Sequence, residues 1–510
     1  MGRILALDIG TGTVRAALFD LEGRPVGEVV SIAYEIDTVT GHPEFAEVTC
    51  DKWVAAARSA IAAVSQAGDV SAVRAIGVSG LFPGLVMFGA TGRPLRPAIL
   101  YSDRRSQTQL DGIRRSGLAT EMETLGGSCL TTGTTSVTSL LWCREAEPDT
   151  FARTRMIAHV NGLVAQWLTG RIAMDRSNAA LTGLFDTQGG RWSAEMCAAL
   201  EIDPALLPEL VEGCDAAGEL LPGPAGELGL LPGIPVAMGG GDTACAAMGV
   251  GCVNPGDFVT SCGTTDTLAL CVDRYVFDPR LYCVGHVVPD RFLSIAPMSC
   301  TGGCLSWYAR ELAGDERRRA QEEGRGLYAV VEEHAATAPP GAGGVVFLPY
   351  LRGERTPVND PSARAVLFGM TDATDRAAVA RAVMEGVAYG VRHCLEAMEE
   401  AHGLHVDELT IVGKPTRSAL WNQIRADVTQ RRIRALAFEE RSLLGAAVLG
   451  ARAAGLVSTG DSFIYPHAVD ARVFEPRTEL ADLYSDGFTT YRSLYAALAE
   501  RGLFRGAVRM

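Results

Sequence analysis

Lysine is nearly absent from the 510-residue chain, since Lys52 and Lys414 are the only two. Arginine therefore carries almost all of the basic charge. Acidic residues outnumber basic ones, and the formal net charge is −14 at pH 7. Phosphate backbones and anionic lipid surfaces repel a protein of this charge. The composition excludes a general nucleic-acid-binding or membrane-surface protein, and we expect neither nucleic acid nor membrane as a partner.

The sequence also lacks a CxxC pair and any long apolar run. Its thirteen cysteines are scattered, mostly among apolar residues, which is typical of a reduced cytosolic protein. Glycine, proline or charge interrupts each apolar stretch before the roughly 18 residues that a membrane span needs. The first apolar run, Ile4 to Ile9, contains Asp8 and has no cleavage site, so we expect no signal peptide. These features predict a cytoplasmic protein of two to four domains.

Two common phosphate-binding motifs are missing as well. The chain has no GxxxxGK[ST] loop, and a dinucleotide fingerprint would need glycine where Arg15 stands. Residues 4–20 instead predict a strand, a turn at Gly10–Thr13 and a second strand. A turn of this composition directs backbone N–H groups and hydroxyls toward one point, which suits a phosphate group.

The same pattern recurs 253 residues later, close to half the chain length. A strand ends at Cys262, a turn covers Gly263–Asp266, and a second strand follows. Four residues of the first hairpin match the second at identical spacing, namely Gly10, Thr11, Ala16 and Asp20 with Gly263, Thr264, Ala269 and Asp273. We interpret the match as a duplication, with two unrelated hairpins as the alternative.

Helical patterns lie between these strands. The longest runs from Asp375 to Ala401, where apolar residues recur every fourth position from Val379 to Leu395 and Gly403 ends the pattern. Since strands and helices mix throughout, the predicted fold class is α/β.

Four further segments carry candidate chemistry, each with a plainer alternative. Asp8, at a strand end beside a phosphate turn, could hold a Mg²⁺-bound water or could simply cap the hairpin. Asp242 follows three glycines at a helix start, where it could accept a substrate proton or act only as an N-cap. The loop Gly413–Ser418 suits a nucleotide at a helix N-terminus, or is a surface turn. Ser299–Gly303 also precedes a helix, and its alternative role is packing.

At this point the chain resembles the FGGY carbohydrate kinases, of the sugar-kinase, actin and heat-shock-70 superfamily, and it is similar to the xylulokinases among them. The resemblance runs from about residue 3 to about residue 455. It rests on the segments "LALDIGTGTVRAALFD", "GRPLRPAILYSDRRS", "LTGRIAMDRSNAALTGLFDTQGGRW", "GGGDTACAAMGVGCVNPGDFVTSCGTT", "LPYLRGERTPVNDPSARAVLFGMT" and "SALWNQIRADV". It implies two ribonuclease-H-like (actin-like ATPase) domains, with ATP and sugar in the cleft between them.

The resemblance also implies a role for each matching residue. Asp242 would be the catalytic base, and Asp8 would help to hold Mg²⁺. The expected nucleotide-binding residues are Asp8, Gly10, Thr11, Gly12, Thr13, Arg15, Gly263, Thr264, Thr265, Gly302, Gly413 and Lys414. The expected sugar-binding residues are Phe82, Pro83, Asp103, Arg104, Asp242 and Thr243.

Departures from the xylulokinase pattern affect both the sugar site and the nucleotide site. Phe82 and Pro83 stand where those kinases have Met-His, and Thr243 stands where they have Asn. Because both family residues contact sugar, we expect D-xylulose to be a poor substrate. Lys414 occupies a glycine position of the adenosine loop, where it is either solvated or close to the nucleotide phosphates.

The sequence therefore predicts an ATP- and Mg²⁺-dependent kinase that acts on a small neutral sugar, ketose or polyol. The alternative is a non-catalytic ATP- or sugar-binding relative, either a pseudokinase or a regulator. We expect an N-terminal domain over residues 1–250, a nucleotide-binding domain over 251–460 and a helical extension over 461–510. The expected location is the cytoplasm, and we leave open whether the chain forms a homodimer.

Overall fold

The structure is a computed structural model that describes residues 2–67, 70–436, 440–457 and 471–504. Helices and strands are mixed along these ranges, as the sequence predicts. Within them, no helix is long and apolar enough to cross a membrane.

The described strands are, in chain order, β1 (Arg3–Ile9), β2 (Thr13–Phe19), β3 (Pro25–Ala33), β4 (Glu47–Val48), β5 (Val73–Gly80), β6 (Gly84–Phe88), β7 (Ala98–Leu100), β8 (Met156–Ala158), β9 (Ala173–Met174), β10 (Phe185–Asp186), β11 (Arg191–Trp192), β12 (Glu209–Leu210), β13 (Ala216–Glu219), β14 (Pro235–Ala237), β15 (Gly240–Gly241), β16 (Phe258–Cys262), β17 (Asp266–Val272), β18 (Tyr282–Gly285), β19 (Phe292–Pro297), β20 (Val346–Leu348), β21 (Val366–Phe368), β22 (Glu408–Val412), β23 (Arg432–Leu436) and β24 (Ala471–Phe474). The described α-helices are α1 (Cys50–Ala67), α2 (Gln107–Ser116), α3 (Ala119–Gly126), α4 (Ser136–Ala146), α5 (Pro148–Arg153), α6 (Val160–Thr169), α7 (Arg176–Ala180), α8 (Ala194–Ala199), α9 (Pro222–Leu228), α10 (Asp242–Gly249), α11 (Gly302–Glu311), α12 (Gly314–Glu323), α13 (Leu327–Ala335), α14 (Arg376–His402), α15 (Ala419–Thr429), α16 (Arg441–Ala453) and α17 (Ala481–Glu500).

The described residues form two compact units. The first contains those of Met1–Pro255, Cys271–Leu293 and Glu440–Pro466, and the second those of Gly256–Leu270, Ser294–Glu439 and His467–Met510. The first unit therefore includes α16, a helix from near the C-terminus. The expected domain boundary at residue 460 lies outside the described residues, and the domain extents given above stay predictions.

The main sheet of the first unit has β1 near its centre. Its strand order is β13-β14-β5-β1-β2-β3. Strand β1 runs antiparallel to β2 and parallel to β5, while β14 is parallel to β5 and antiparallel to β13. Residues Ile4–Ile9 of β1 are all buried, which explains why this strand is an almost continuous apolar run interrupted only by Asp8.

The sheet of the second unit repeats this arrangement. Its strands follow the order β18-β19-β17-β16-β22-β23-β24. Strand β16 is antiparallel to β17 and parallel to β22, and β23 is parallel to β22 and antiparallel to β24. The two predicted hairpins, β1–β2 and β16–β17, thus hold corresponding positions, because β13-β14-β5-β1-β2 and β24-β23-β22-β16-β17 match in order and direction. This is the topology that a duplication predicts.

Helix α14 confirms the longest helical prediction. Asp375 is its N-cap and accepts a hydrogen bond from the N–H of Ala378 at 2.8 Å. Gly403 ends the helix in the left-handed region at φ 63°. The valine stripe from Val379 to Val391 is buried in the core of the second unit. Each fully buried valine side chain contributes roughly 1.5–3 kcal/mol through removal of apolar surface from water.

Helix α16 packs closely on both α10 and β5 through glycines. A β-carbon at Gly445 of α16 would overlap the carbonyl oxygen of Cys245 in α10. One at Gly77 of β5 would overlap the carbonyl oxygen of Ala446. Only glycine permits backbones to approach this closely. The contact fixes α10, which begins with Asp242, against the central strands of the first unit.

We expect Gly445→Ala to lower the free energy of unfolding by about 1–3 kcal/mol, because overpacking a tight contact forces the backbone to shift. Gly112→Ala is the matched control. Gly112 lies within α2, where an added β-carbon meets nothing within 4 Å. Alanine should stabilise that helix by roughly 0.5–1 kcal/mol. Urea unfolding of both variants checks the difference, and equal midpoints would contradict the tight contact.

Candidate active site

The first hairpin places Asp8 in a buried position with both carboxylate oxygens bonded. Ser79, which pairs with Asp8 on the neighbouring strand β5, donates to Oδ1 at 2.7 Å. Ser442 of α16 donates to Oδ2 at 3.1 Å. Arg15, its cross-strand partner on β2, forms an ion pair with Oδ2. Side chains directly opposite each other in an antiparallel pair interact favourably when their charges are opposite. Asp8 is therefore fixed in position by contacts from β2, β5 and α16.

Arg15 connects Asp8 to a second carboxylate. Its Nη1 lies 2.7 Å from Oε2 of Glu440, and its Nη2 donates to Ser442 at 3.1 Å. Burial acts to lower the pKa of Arg15, but the charges of Asp8 and Glu440 more than offset it, and the pKa is raised. Arg15, expected at phosphate, is here a partly exposed cation shared between two carboxylates.

The turn of this hairpin is closed by backbone bonds. The N–H of Gly10 donates to the carbonyl oxygen of Thr13 at 2.9 Å. Tyr34 donates its N–H to the carbonyl oxygen of Gly12 at 3.1 Å and its hydroxyl to the carbonyl oxygen of Gly10. Thr11 lies at the turn with its hydroxyl 3.4 Å from that of Tyr101. The structure thus brings the expected residues Gly10–Thr13 together with Asp8 and Arg15.

Asp242 is the first residue of α10, directly after the glycine turn. The capping position belongs to Gly241, so the N-cap alternative does not describe Asp242. Gly239 has a φ angle of 70°, and a β-carbon on it would overlap the carbonyl oxygen of Val78. The glycines therefore allow the chain to lie against β5 and to present Asp242 at the helix start.

The pKa of Asp242 is raised from its usual 3.8 to about 6. Burial is the main cause, and the negative charge of Asp8 adds to it. Hydrogen bonds from Thr243, whose hydroxyl lies 3.2 Å from Oδ1, and the charge of Arg15 act in the opposite direction. A carboxylate with a pKa just below neutral pH is well suited to accept a proton.

Buried polar side chains that the sequence analysis did not single out hold the glycine turn. Ser177 accepts from the N–H of Gly241 at 3.0 Å and itself donates to Asp175. Asn161 donates to the carbonyl of Gly240 at 3.0 Å. Ser177 and Asp175 lie within the quoted segment that begins "LTGRIAMD", but no local pattern in that segment indicates a contact with residue 241.

The expected sugar-binding residues divide into two groups. Phe82 and Pro83 join β5 to β6 through a cis peptide bond, and the ring of Phe82 lies where a β-carbon of Gly241 would be. This ring gives the vicinity of Asp242 an apolar side. Thr243 bonds Asp242, as described above.

Asp103 and Arg104 do not act together. Arg104 is exposed, whereas Asp103 is fully buried and bonded to Arg105, with Nη2 to Oδ2 at 2.7 Å. Asp103 also accepts the N–H of Ala46 at 2.7 Å, and the Arg105 guanidinium stacks on Phe45 at 3.7 Å. Asp103 thus orders the chain around it, and Arg105 is the arginine that the sequence analysis left out.

The second unit groups three of the expected nucleotide segments. In the hairpin turn Gly263–Thr265, the carbonyl oxygen of Gly263 accepts a hydrogen bond from the N–H of Gly302 at 3.1 Å. A β-carbon at Gly302 would overlap that same oxygen, and one at Gly413, with φ 105°, would overlap the carbonyl oxygen of Cys262. Lys414 follows as an exposed residue in a short 3-10 helix, Lys414–Arg417. Its exposure is consistent with the solvated alternative.

Comparison with known proteins identifies the family. Residues 3–249 match the N-terminal domain, and residues 258–454 the C-terminal domain, of the FGGY family of carbohydrate kinases. The chain belongs to this family. It is a sugar kinase with two ribonuclease-H-like, actin-like ATPase domains, and it catalyses ATP-dependent phosphorylation of a sugar.

Named relatives span nearly the whole chain. The chain is 29% identical over 496 residues to a xylulose kinase of Staphylococcus epidermidis, covering 96% of each chain. It is 29% identical over 510 residues to a xylulose kinase of Escherichia coli, covering 97% of this chain and 99% of the other. The crystal structure of xylulose kinase from Rhodospirillum rubrum has a TM-score of 0.88 at 28% identity, with 99% and 100% coverage. The alternative of a non-catalytic relative gains no support from these matches.

The raised pKa of Asp242 predicts a pH-dependent cost to stability. Because the folded protein binds this proton more tightly than the unfolded chain, stability falls as the pH rises from about 4 to about 6. Above that range the ionised side chain costs on the order of 1–3 kcal/mol. Asp242→Asn should therefore be more stable than the parent at pH 8 and lose this advantage near pH 4.

Urea unfolding at both pH values measures this difference. The exposed Asp486→Asn in α17 controls for the loss of one negative charge. If Asp242→Asn and Asp486→Asn respond alike at pH 8, the carboxylate of Asp242 is not destabilised by its surroundings.

Proposed function

We propose that the chain transfers the γ-phosphoryl group of ATP to a hydroxyl of a small neutral sugar, ketose or polyol, with Asp242 as the general base. One observation carries the assignment of the base. Asp242 lies at the start of α10, after three glycines, where burial and the negative charge of Asp8 raise its pKa to about 6. The family supplies the reaction class, and this geometry supports the residue that takes the proton.

In the proposed reaction the substrate hydroxyl oxygen attacks the γ-phosphorus in line with the leaving ADP oxygen. The new O–P bond forms as the bond between the γ-phosphorus and the β–γ bridging oxygen breaks. Asp242 accepts the hydroxyl proton, and ADP leaves with the electron pair of the broken bond. Because phosphoryl transfer depends on positioning and charge stabilisation, the protein contributes mainly by aligning these groups.

The expected phosphate contacts are the two hairpin turns. Gly10–Thr13 and Gly263–Thr265 each offer backbone N–H groups and threonine hydroxyls, the donors that bind phosphate oxygens in such turns. Gly302 and Gly413 both lie against the second hairpin, which supports their assignment to the nucleotide. Excluding water from the closed site would protect ATP from hydrolysis.

The residues of the first unit fit a divalent cation that arrives with the nucleotide. Magnesium binds proteins through one or two carboxylates together with substrate phosphates. In the described residues no group of three or more acidic, histidine or cysteine side chains could hold a metal. Asp8 and Glu440 form ion pairs with Arg15, and the charge of Asp242 also acts on it, so three carboxylates lie around this arginine. Asp8 is the residue that would hold the ion, and the ion would neutralise the β- and γ-phosphates.

Asp242→Asn should keep ADP binding and lower kcat by about 100- to 10,000-fold, the usual effect of losing a general base. In the parent enzyme kcat should rise with pH through about 6, where Asp242 loses its proton, and this rise should be absent in the variant. Steady-state ADP release between pH 5 and pH 8 provides the measurement. A variant with near-parental kcat would remove Asp242 from the mechanism, and Asp486→Asn is the charge-matched control.

We expect D-xylulose to be a poor substrate, although the named relatives are xylulose kinases. Phe82 and Pro83 offer no side-chain hydrogen bond to a sugar hydroxyl, and an unpaired hydroxyl in a site costs about 1–3 kcal/mol. The apolar ring beside Gly241 favours a deoxy sugar or a shorter polyol. ADP formation across tetritols, pentitols, ketopentoses, ketohexoses and glycerol tests the expectation. It is wrong if D-xylulose has the highest kcat/KM of the panel.

A further inference from the structure

A buried ion pair lies directly behind the second hairpin. Nη2 of Arg425, on α15, is 3.0 Å from Oδ2 of Asp266, the first residue of β17. The side chains are 2% and 0% exposed. Neither residue belongs to the nucleotide, sugar or metal sets proposed above.

The second oxygen of Asp266 joins two further segments. Oδ1 accepts the hydroxyl of Thr301 at 2.6 Å and the N–H of Gly263 at 3.3 Å. Thr301 immediately precedes α11, and its own N–H donates to the carbonyl of Thr264 at 3.0 Å. One carboxylate therefore connects the hairpin turn, the start of α11 and, through Arg425, helix α15.

Both terminal nitrogens of Arg425 have a partner. Its Nη1 donates to Sγ of Cys262, the last residue of β16, at 3.2 Å. Its guanidinium also lies 4.9 Å from the centre of the Trp421 ring, four residues earlier on the same helix. Arg425 thus contacts the residue before the turn and the residue after it, Cys262 and Asp266.

Stability alone is a poor explanation for such a pair. Burying two charges costs desolvation energy, and apolar replacements of similar volume are often neutral or stabilising. What the charged pair provides here is direction, because the N–H of Gly263 and the hydroxyl of Thr301 are drawn to one fixed oxygen. The N–H groups of Thr264 and Thr265 are then presented by a turn of fixed geometry.

We propose that Asp266 and Arg425 are positioning residues for nucleotide binding, which set the geometry of Gly263–Thr265 and of the Thr301–Gly302 segment. This inference rests on the proposed function, since it takes the second hairpin to bind nucleotide phosphate. The pair touches no substrate and acts through the turn.

Another carboxylate of the same unit provides a matched control. Oε1 of Glu385 accepts from Nε of Arg381 at 2.7 Å, from the hydroxyl of Tyr484 at 2.9 Å and from the N–H of Gly341 at 3.1 Å. The Arg381 and Glu385 side chains are 4% and 2% exposed. An arginine, a hydroxyl and a glycine N–H are also the partners of Asp266, but none of the Glu385 bonds reaches the hairpin.

The experiment compares Asp266→Ala/Arg425→Leu with Glu385→Ala/Arg381→Leu. Each double variant removes both charges, so neither leaves an uncompensated buried ion. Isothermal titration with ADP and Mg²⁺ gives Kd without the sugar, and urea unfolding gives stability. We expect the first variant to raise the Kd for ADP by about tenfold, or about 1.4 kcal/mol, and the second to leave it within twofold.

Two results would overturn the inference. Either the Asp266/Arg425 variant keeps its Kd within twofold of the parent, or both double variants weaken ADP to the same extent, as a general loss of order would. If the Asp266/Arg425 variant does not fold, Arg425→Lys replaces it, since it keeps the charge but loses the two-sided grip. Arg425→Lys should raise the Kd for ADP about threefold, whereas Arg381→Lys should leave this Kd unchanged. Equal effects of the two lysine variants would again overturn the inference.

Hydrogen exchange separates this inference from the proposed function. In the parent enzyme ADP should protect the backbone N–H groups of Thr264 and Thr265. If it does not, the hairpin is not a phosphate site, and the proposed function fails at that point together with the inference. If it does, while the double variants behave alike, only the positioning role fails.

Discussion

The ion pair between Asp8 and Arg15 allows a second carboxylate to lie nearby in the first unit. The negative charge of Asp8 raises the pKa of Asp242, because like charges disfavour ionisation of the neighbouring acid. Arg15 offsets part of this effect, because its charge lowers the pKa of Asp242. The result is an acid with a pKa of about 6, high enough to bind a proton well and low enough to be ionised at neutral pH.

This electrostatic arrangement depends on distant parts of the chain. Ser79 lies 71 residues after Asp8, and Ser442 lies 434 residues after it. Helix α16, which brings Ser442 into place, can approach α10 only because Gly445 lacks a side chain. The same packing fixes the start of α10, where Asp242 lies. The backbone contact between α16 and α10 and the position of Asp242 thus depend on each other. A change in the packing of these helices would alter the charges around Asp242.

The local features of the fold can be predicted from the sequence. Both hairpins, helix α14 and the glycine turn before Asp242 follow from turn residues, apolar spacing and caps, which act over a few positions. The partners of these features could not be predicted in the same way. Arg105 rather than Arg104 bonds Asp103, because the direction of a side chain depends on the surrounding fold. The contact of Ser177 with Gly241 joins residues 64 positions apart, and neither residue type predicts this contact.

Each hairpin has an aspartate and an arginine beside it, but the two pairs differ in the freedom of the arginine. The Arg15 side chain is 28% exposed and is shared by Asp8 and Glu440, whereas that of Arg425 is 2% exposed and enclosed by Asp266, Cys262 and Trp421. The pair between Arg15 and Glu440 is partly exposed on both sides, so exchanging Glu440 for another anion costs little, since exposed ion pairs are worth about 0–1 kcal/mol. A fully buried arginine cannot change partners in this way, because leaving its partner unpaired costs several kcal/mol, about 3–5 in measured cases. The arginine beside the first hairpin therefore has one partner, Glu440, that it can release at small cost, whereas the arginine beside the second hairpin has none.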